Sequence, residues 1–298
     1  MGFIKKHKNT LIRILKYLST YPGFKRLFYQ IHEIMKNEFQ PKGYVAVMME
    51  NGYLLGVNNY KQSPTWRDRM AAQDFEKEET GVVKKLLPLV DYFVDIGAHI
   101  GYYTCLAAHS GKKVLAFEPI KESYKTLLKN LEVNRFDEVS AHNLALGENE
   151  KKAIVYGEDA GSSIIKDSFP KETEQGTTVE VGVLDNYINV IPAGSPTMLK
   201  IDTEGGEYAI IQGGKKFITA IQPLFMFMEI VKNWGGGRNP NFEKTFEELE
   251  EMGYEKFLEL EGEYFFVLSE ANNGRIKEII EEIKNAQSKG LADNKIQK

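Results

Sequence analysis

A glycine-containing segment in the first half of the chain combines residue types that suit a nucleoside. It reads Asp95-Ile96-Gly97-Ala98-His99-Ile100-Gly101 and lies between a β-rich run and a stretch with helical character. Glycines allow a tight turn and let the backbone come close to a ligand. The N-terminus of the following helix would be electropositive. These features predict a binding loop for a nucleotide or for the carboxylate of an amino acid.

Glu118 is the second residue of the predicted nucleoside site. It follows the next β-rich run, in Phe117-Glu118-Pro119. A carboxylate at the end of a second strand can accept hydrogen bonds from both ribose hydroxyls. The spacing of Gly97 and Gly101 does not give the G-x-G-x-x-G pattern that admits a pyrophosphate. Together with Asp95, Glu118 therefore favours a cofactor that carries an ammonium group, as S-adenosylmethionine does, over a dinucleotide.

Acidic residues also follow two later apolar runs. Asp202 and Glu204 come directly after Met198 to Ile201, and Glu229 ends the run Phe225 to Met228. Open α/β sheets bind ligands outside the carboxyl ends of their strands, and an acid at the end of a buried strand is costly without a partner or a purpose. We expect Asp202 and Glu204 to have functional roles. For Glu207, a functional role and a favourable interaction with the helix dipole are equally compatible with the sequence.

A reaction that takes a proton from its substrate needs a group to accept that proton. Asp202 is the first candidate for the base or for orienting the acceptor, with Glu204, Glu229 and Glu76 as rivals. Asp202, Glu204 and Glu229, together with His99, could form an oxygen-rich site for Mg²⁺. Because no metal-specific spacing is found, no metal is predicted.

In chain order these motifs resemble the FkbM-type methyltransferases. The resemblance rests on Phe75–Thr80, Asp95–Thr104, Phe117–Pro119, Asn143–Leu146, Ser162–Ser163, Leu184–Asp185 and Lys200–Glu207. It implies a class I methyltransferase fold, S-adenosylmethionine as donor and a hydroxyl acceptor on a sugar, glycolipid or natural product. The cofactor contacts that it implies are Asp95, Gly97, Ala98, His99, Gly101, Tyr102, Glu118, Pro119, Asn143, Ala145 and Asp202. His99 stands where the family more often has Asn, which leaves the role of this side chain open.

The alternation of β-rich and helical runs from Tyr92 onward predicts an α/β fold. We expect a doubly wound, mostly parallel seven-stranded sheet, Rossmann-like, with an antiparallel closing strand near Tyr264 to Leu268 and an N-terminal helical extension. The predicted organisation is a basic helical arm (1–42), a hairpin and linker around Asn51-Gly52 (43–74), the methyltransferase domain (75–270) and a C-terminal helix and tail (271–298).

Charge is distributed unevenly along the chain. Residues 1–42 hold seven Lys and two Arg against two Glu, or +7, so the rest of the chain carries −4 − 7 = −11. Because basic charge is confined to the arm, nucleic acid is not predicted as a partner. The arm either lies on an anionic membrane surface or packs on the main domain with its lysines in solvent, and the second interpretation is preferred.

The single cysteine, Cys105, excludes an intrachain disulfide and is typical of a reducing compartment. We therefore expect a cytoplasmic protein, with the inner membrane surface as an option through the arm. A small-molecule or glycan acceptor is expected. Two other hypotheses are a non-catalytic adaptor at the membrane surface and a nucleotide-dependent oxidoreductase. The loop with Ser162 and Ser163 is equally compatible with a cover over the site and with a solvated turn.

Overall fold

The computed structural model describes residues 44–49, 52–58, 75–156, 176–234, 237–260 and 262–296. The chain divides into two compact units, Met1–Gln73 and Asp74–Lys298. In the first unit, β1 (Tyr44–Met48) pairs with β2 (Leu54–Asn58) in antiparallel register, which confirms the predicted hairpin. Gly52 adopts a φ of 91° at its turn. The predicted helices of the basic arm and the loop with Ser162 and Ser163 lie outside the described residues.

The second unit is built on a seven-stranded sheet with helices between its strands. Its strands and those of two smaller sheets are β3 (Tyr92–Ile96), β4 (Lys113–Phe117), β5 (Val139–His142), β6 (Ala145–Leu146), β7 (Lys151–Tyr156), β8 (Gly176–Gly182), β9 (Thr197–Ile201), β10 (Phe225–Glu229), β11 (Asn233–Trp234), β12 (Gly237–Arg238), β13 (Tyr254–Leu260) and β14 (Glu263–Leu268). The helices are α1 (Lys77–Leu86), α2 (Tyr102–His109), α3 (Lys121–Asn134), α4 (Glu207–Gly213), α5 (Lys215–Ile221), α6 (Phe242–Glu251) and α7 (Gly274–Ile296).

The order of strands in the large sheet is β13-β14-β10-β9-β3-β4-β5. Neighbouring strands from β10 to β5 are parallel, and β14 is antiparallel to both β10 and β13. The predicted α/β fold with a mostly parallel seven-stranded sheet and an antiparallel closing strand is confirmed. The order reverses between β3 and β9, so the carboxyl ends of these two strands form the switch point where such sheets bind ligands.

The central strands are mainly apolar because helices cover both faces of the sheet, and Asp95 in β3 and Lys200 in β9 are buried charged exceptions. All five residues of β9 are buried, and so are the first four of β10. Phe117, Phe217 and Phe227 are among the largest side chains that are fully buried. The sheet is thus a rigid support, and the residues at its carboxyl edge are held by the packing beneath them.

The structure differs from the sequence prediction after β5. The β-rich run from Val139 to Leu144 predicts a single strand, but β5 ends at His142, and Ala145 and Leu146 pair with β8 in a three-stranded sheet of order β6-β8-β7. The chain turns at Asn143, whose side-chain amide donates hydrogen bonds to the backbone oxygens of Glu118 (2.8 Å) and Pro119 (2.9 Å). This turn therefore braces the end of β4.

Two further differences concern helices. The C-terminal helix α7 continues to Ile296, so the segment predicted as a helix followed by a tail (271–298) is helical almost to its end. Helices α5 and α6 were not predicted from the sequence, and both pack apolar residues into the core, including Phe217 and Leu249. Within the described residues, no helix is long and apolar enough to cross a membrane.

Candidate active site

A row of side chains on one face of the sheet forms the floor of the candidate site. In register, Asp95 on β3 lies beside Lys200 on β9, and Lys200 lies beside Phe227 on β10. Phe227 is stacked on Phe265 of β14, with ring centroids 4.5 Å apart. Tyr103 of α2 covers this row, since its ring contacts Phe227 edge-on and lies 5.3 Å from the Lys200 ammonium.

A row of three acids lies on the same face, one step closer to the carboxyl edge of the sheet. Side chains two residues apart in a strand point to the same face, so Asp202 and Glu229 follow Lys200 and Phe227 in that direction. Glu229 is directly paired with Glu263, the first residue of the antiparallel strand β14. We call Asp202, Glu229 and Glu263 the acid row. Neighbouring strands lie about 4.8 Å apart, so these carboxyl groups interact strongly.

Lys200 is the cation beneath the acid row. Its side chain is 2% exposed, and it is the one lysine or arginine that is buried among the described residues. Its ammonium lies 2.9 Å from Asp202 Oδ2 and 3.6 Å from Asp95 Oδ1. Burial by itself would lower the pKa of Lys200, but the charges of Asp202 and Asp95 outweigh it and hold this pKa above its usual value. Lys200 is therefore charged at neutral pH.

The first two acids of the row share a proton. Burial would raise the pKa of Asp202, but the Lys200 charge and hydrogen bonds from Glu229 and Lys200 keep that pKa below its usual value. The pKa of Glu229 is raised well above its usual value by burial and by the charges of Asp202 and Glu204. At neutral pH, therefore, Asp202 is a carboxylate and Glu229 is a protonated acid that donates a hydrogen bond to it.

Glu263 at the end of the row also holds its proton. Burial and then the charge of Asp202 raise the pKa of Glu263 to about 9. Its Oε2 atom is buried and has no hydrogen-bond partner among the described residues. The row at neutral pH is thus one carboxylate over a buried ammonium, followed by two neutral acids.

Glu204 and Glu76 adjoin the row from two loops, and both have left-handed backbones. Their φ angles are 55° and 43°, a conformation that costs a residue with a side chain about 1–2 kcal/mol. Such outliers are concentrated at functional sites. Burial and the charge of Asp202 raise the pKa of each to about 7. A carboxyl group with this pKa is suited to act as a base at neutral pH.

The glycine loop lies against the loop that contains Asp202. The Asp202 N–H donates to the Ile96 oxygen over 3.0 Å, and the N–H groups of Gly97 and Ala98 donate to the Phe117 oxygen. Gly97 has a φ of 82°, and a Cβ atom on it would lie 1.8 Å from the Asp202 carbonyl oxygen. The predicted cofactor loop and the predicted base therefore adjoin at the switch point only because position 97 has no side chain.

Gly101 has a different structural reason to be a glycine. Its φ is 90°, and a Cβ atom on it would lie 2.4 Å from the Leu127 side chain of α3. It thus permits α2 to begin close to α3. Tyr102 follows it, and its hydroxyl donates to the Phe75 oxygen over 3.2 Å and lies 3.0 Å from Thr80 Oγ1, which attaches α2 to the start of α1.

Asp95 supports the loop from beneath. It is fully buried, and its Oδ2 accepts a hydrogen bond of 2.5 Å from Thr104 Oγ1 of α2 while Oδ1 faces Lys200. Burial raises the pKa of Asp95, although the Lys200 charge and the Thr104 hydrogen bond lower it in part. This arrangement favours a supporting role for the Asp95 side chain over direct contact with a ligand.

Glu118 occupies the predicted position at the end of β4. Its Oε2 accepts the His99 N–H (2.8 Å) and its Oε1 accepts the Ile120 N–H (2.7 Å). Burial raises the pKa of Glu118 to about 7, although these two hydrogen bonds oppose the shift. An ionised carboxylate offers about four acceptor sites, so both oxygens retain capacity for ribose hydroxyls. The two backbone bonds fix their direction.

The structure places the remaining predicted residues around these groups. The His99 backbone is left-handed, with a φ of 50°, and burial lowers the pKa of its ring to about 4, so the imidazole is neutral at pH 7. Ala145 is buried in β6. Glu207 is almost fully buried, and its Oε1 accepts hydrogen bonds from Thr203 Oγ1 (3.0 Å) and from the Gly205 N–H (2.8 Å). Glu207 therefore holds the Asp202 loop in shape, a role that helix-dipole reasoning did not give it.

Sequence reasoning missed three residues of the site, Lys200, Tyr103 and Glu263. For Lys200 a signal was available, because a lysine inside an otherwise apolar strand needs a charged partner. Glu263 had none, since its position depends on β14 being inserted beside β10. Among the described residues, no group of three or more His, Cys, Asp or Glu side chains is arranged to hold a metal ion.

The family model of the FkbM methyltransferase domain matches residues 95–256, which include the glycine loop, Glu118 and the loop of Asp202. The chain belongs to the FkbM methyltransferase family. This confirms the resemblance predicted from the motifs. The match begins at Asp95, so the basic arm and the hairpin lie outside it.

Individual relatives of this FkbM-family chain are distant. It is 25% identical over 144 residues to Methyltransferase 1 of Beauveria bassiana (strain ARSEF 2860), an alignment that covers 41% of this chain and 57% of the relative. The chain thus spans little more than half the length of that curated relative. Among solved structures, it is similar to a methyltransferase FkbM from Methylobacillus flagellatus KT (18% identity, TM-score 0.42, 60% of this chain and 43% of that one). Another is a TehB-like SAM-dependent methyltransferase from Corynebacterium glutamicum ATCC 13032 (14% identity, TM-score 0.36, 68% and 91%).

Proposed function

We propose that this FkbM-family chain transfers the methyl group of S-adenosylmethionine to a hydroxyl of a sugar, glycolipid or natural product. The observation that carries the proposal is the meeting of three features at one sheet edge. These are the glycine loop around Gly97, the ribose-type acid Glu118 and the acid row that begins at Asp202. The hydroxyl acceptor is the expectation that the family resemblance implies.

The charges at the edge fit this cofactor. The carboxyl groups of this edge can ionise beside a bound cation, so the site accommodates a positive charge more readily than the negative charge of a pyrophosphate. S-adenosylmethionine would supply an electrophilic methyl group on a positively charged sulfur. Glu118 would hold the ribose, and the glycine loop at Gly97 and Ala98 would lie along the nucleoside. The nucleotide-dependent oxidoreductase hypothesis is disfavoured by the same charges.

The residues around Asp202 have distinct tasks in this proposal. Asp202 orients the acceptor hydroxyl, because Lys200 keeps it ionised and fixes its direction. The low pKa that keeps Asp202 ionised also makes it a weak base. Positioning of the reacting atoms supplies much of the acceleration in such an in-line displacement. The acceptor's proton must therefore go to another carboxyl group. The candidates are Glu204 and Glu76, whose pKa values of about 7 suit a base at neutral pH, and the other two members of the acid row.

The test is a transfer assay with the full chain and S-adenosylmethionine that carries a labelled methyl group. Two panels of acceptors are compared, one of sugars and glycolipids with free hydroxyls and one of primary amines. We expect label on a member of the hydroxyl panel and a loss of at least about 100-fold in Asp202→Asn. Glu259→Gln is the matched control, because Glu259 is exposed and paired with Lys256 on the outer strand β13.

Label on amines alone would contradict the hydroxyl acceptor. Binding of the cofactor without transfer to either panel would contradict the catalytic role and favour the adaptor hypothesis. Full activity in Asp202→Asn would contradict the assignment of Asp202.

A further inference from the structure

The proton content of the acid row has a consequence for methyl transfer. The row consists of three adjacent carboxyl groups, one directly after β9 and one each from β10 and β14. Among the residues that the structure describes, only Asp202 of the row has a cationic partner within ion-pair distance. A hydrogen bond joins Glu229 to Asp202, and Glu263 is paired with Glu229 in register. The row therefore stays compact only while protons screen the repulsion between its members.

The row adjoins the predicted cofactor loop. Asp202 is its first member, and the Asp202 backbone approaches Gly97 so closely that no Cβ would fit between them. A positive charge bound at the glycine loop would thus act on the row through a short and largely buried distance. A cation near a carboxyl group stabilises its ionised form.

We propose that the acid row is the proton acceptor of the reaction and that it is made ready by the charge of the bound sulfonium. Binding of the cation expels a proton from the Glu229–Glu263 pair to solvent. The carboxylate that has lost its proton then receives the proton of the acceptor hydroxyl. Lys200 is a positioning residue in this scheme, because it holds Asp202 ionised and leaves the exchangeable protons on the other two acids. This inference rests on the proposed function.

The scheme balances in atoms and charge. The acceptor O–H bond breaks and its proton goes to the row, while an O–C bond forms with the electron pair of that oxygen. The S–C bond breaks and its pair stays on sulfur, which becomes neutral. One positive charge disappears from the sulfur as one negative charge disappears from the row. The row is then protonated as it is in the protein alone, so the attraction that held the cationic cofactor is lost together with the methyl group.

The groups that face Asp202 from every packed element determine which protons exchange. They are Lys200 beside it in β9, Glu229 of β10, Glu263 of β14, Glu76 before α1, Tyr103 of α2, Asp95 of β3, His99 of the glycine loop and Glu204 of its own loop. At about pH 8, the nearby acids with a pKa of about 7 are already mostly ionised. Measurement at that pH therefore leaves Glu229, Glu263 and Asp95, whose pKa is also raised by burial, as the acids that can release a proton, and the variants below distinguish them.

The experiment is calorimetric titration of the full chain with S-adenosylmethionine and with S-adenosylhomocysteine at about pH 8. Each titration is repeated in buffers that differ in ionisation enthalpy, which gives the number of protons exchanged. The two ligands differ only in the methyl group and its positive charge, so contributions from the nucleoside and amino acid cancel. We expect the sulfonium to release about one proton and at least half a proton more than the neutral thioether.

Variants locate the proton. Glu263→Gln should remove at least half of the difference between the two ligands, whereas the exposed control Glu259→Gln should leave it unchanged. Equal proton release by both ligands, or an unchanged difference in Glu263→Gln, would overturn the inference while leaving cofactor binding intact. Absence of sulfonium binding would overturn the proposed function itself. If Glu263→Gln does not fold, Glu229→Gln replaces it, and the comparison of the two ligands with the unaltered chain is decisive by itself.

Discussion

Glu118 shows how one carboxylate can organise a binding site before any ligand is present. Each of its oxygens accepts one backbone N–H, from His99 on the glycine loop and from Ile120 at the start of α3. It therefore joins the loops that follow β3 and β4. Asn143 braces the same corner through the Glu118 and Pro119 oxygens. The acid that we assign to the ribose is thus also a structural tie between two loops.

Replacing Glu118 tests this double role. We expect Glu118→Ala to weaken S-adenosylmethionine binding by more than about tenfold, because it removes charge-assisted hydrogen bonds worth about 1.5–3 kcal/mol. Isothermal titration measures the change in Kd. Glu122→Ala is the control, since Glu122 is exposed and paired only with Lys125 on α3. Unchanged affinity in Glu118→Ala would contradict the placement of the ribose.

At the scale of elements, the site depends on the direct backbone contact between the loop that follows β3 and the loop that follows β9. Gly97 and Gly111 both have positive φ angles, 82° and 76°, but only Gly97 faces another backbone. A Cβ atom at position 111 would have no other atom within 4 Å, so the only cost of Gly111→Ala is the strain of the positive φ angle. An alanine at Gly97 must also push away the carbonyl of Asp202, which moves the first member of the acid row.

We therefore expect Gly97→Ala to lower the midpoint of thermal unfolding more than Gly111→Ala and to abolish measurable cofactor binding. Differential scanning calorimetry and titration of both variants provide the comparison. Equal effects of the two substitutions on binding would show that the loops need not touch for the site to form.

The main sheet was predictable because its strands carry their signal locally. Apolar runs such as Phe225 to Met228, each closed by an acid or a glycine turn, indicate both the strand and the edge at which it ends. The three-stranded sheet was not predictable in this way. The two residues of β6 join it because the chain turns at Asn143, and that turn depends on hydrogen bonds to distant residues of β4.

The same distinction applies to the site. Asp202 and Glu229 follow parallel strands, so their meeting could be predicted from the sequence alone. Glu263 begins an antiparallel strand, and it reaches the same edge only because β14 lies between β10 and β13. Which acids are neutral could not be predicted, since that depends on the position of Lys200 beneath them.

At the scale of the whole molecule, buried acids make stability depend on pH. Burial raises the pKa of Glu76, Glu118, Glu204 and Glu207 to about 7, and that of Glu263 to about 9. The unfolded chain gives up these protons near pH 4.5, whereas the folded chain keeps them to higher pH. The folded state therefore binds more protons in this range, and its stability decreases as pH rises through the raised pKa values. His99, whose pKa is lowered to about 4, acts in the opposite direction only below about pH 6.5.

We accordingly expect the unfolding temperature of the ligand-free protein to fall by at least about 3 °C between about pH 6.5 and pH 8.5. Bound S-adenosylmethionine should reduce this fall, because its positive charge compensates the ionised acids. Scanning calorimetry at several pH values measures both effects. An unfolding temperature that rises over this range would contradict the proton content assigned to the buried acids.

The charge of the basic arm allows a separate proposal about location. Residues 1–42 carry +7 while the remainder carries −11, and clustered Lys and Arg are attracted to anionic lipid. Although packing on the main domain is the preferred interpretation of the arm, we propose binding to anionic membrane surfaces as the alternative to be tested. Cosedimentation should show binding to vesicles that contain phosphatidylserine and none to neutral vesicles, and deletion of residues 1–40 should abolish it while leaving cofactor affinity intact. Equal binding to both vesicle types, or none, would contradict the proposal.

The central claim is that the strand-end site binds a sulfonium nucleoside. The most direct measurement is calorimetric titration of the unaltered chain with S-adenosylmethionine and, in parallel, with NADH. We predict binding of S-adenosylmethionine in the micromolar range and no measurable binding of NADH, because the loop with Gly97 and Gly101 lacks the G-x-G-x-x-G pattern that admits a pyrophosphate. Binding of NADH alone, or of neither ligand, would contradict the account.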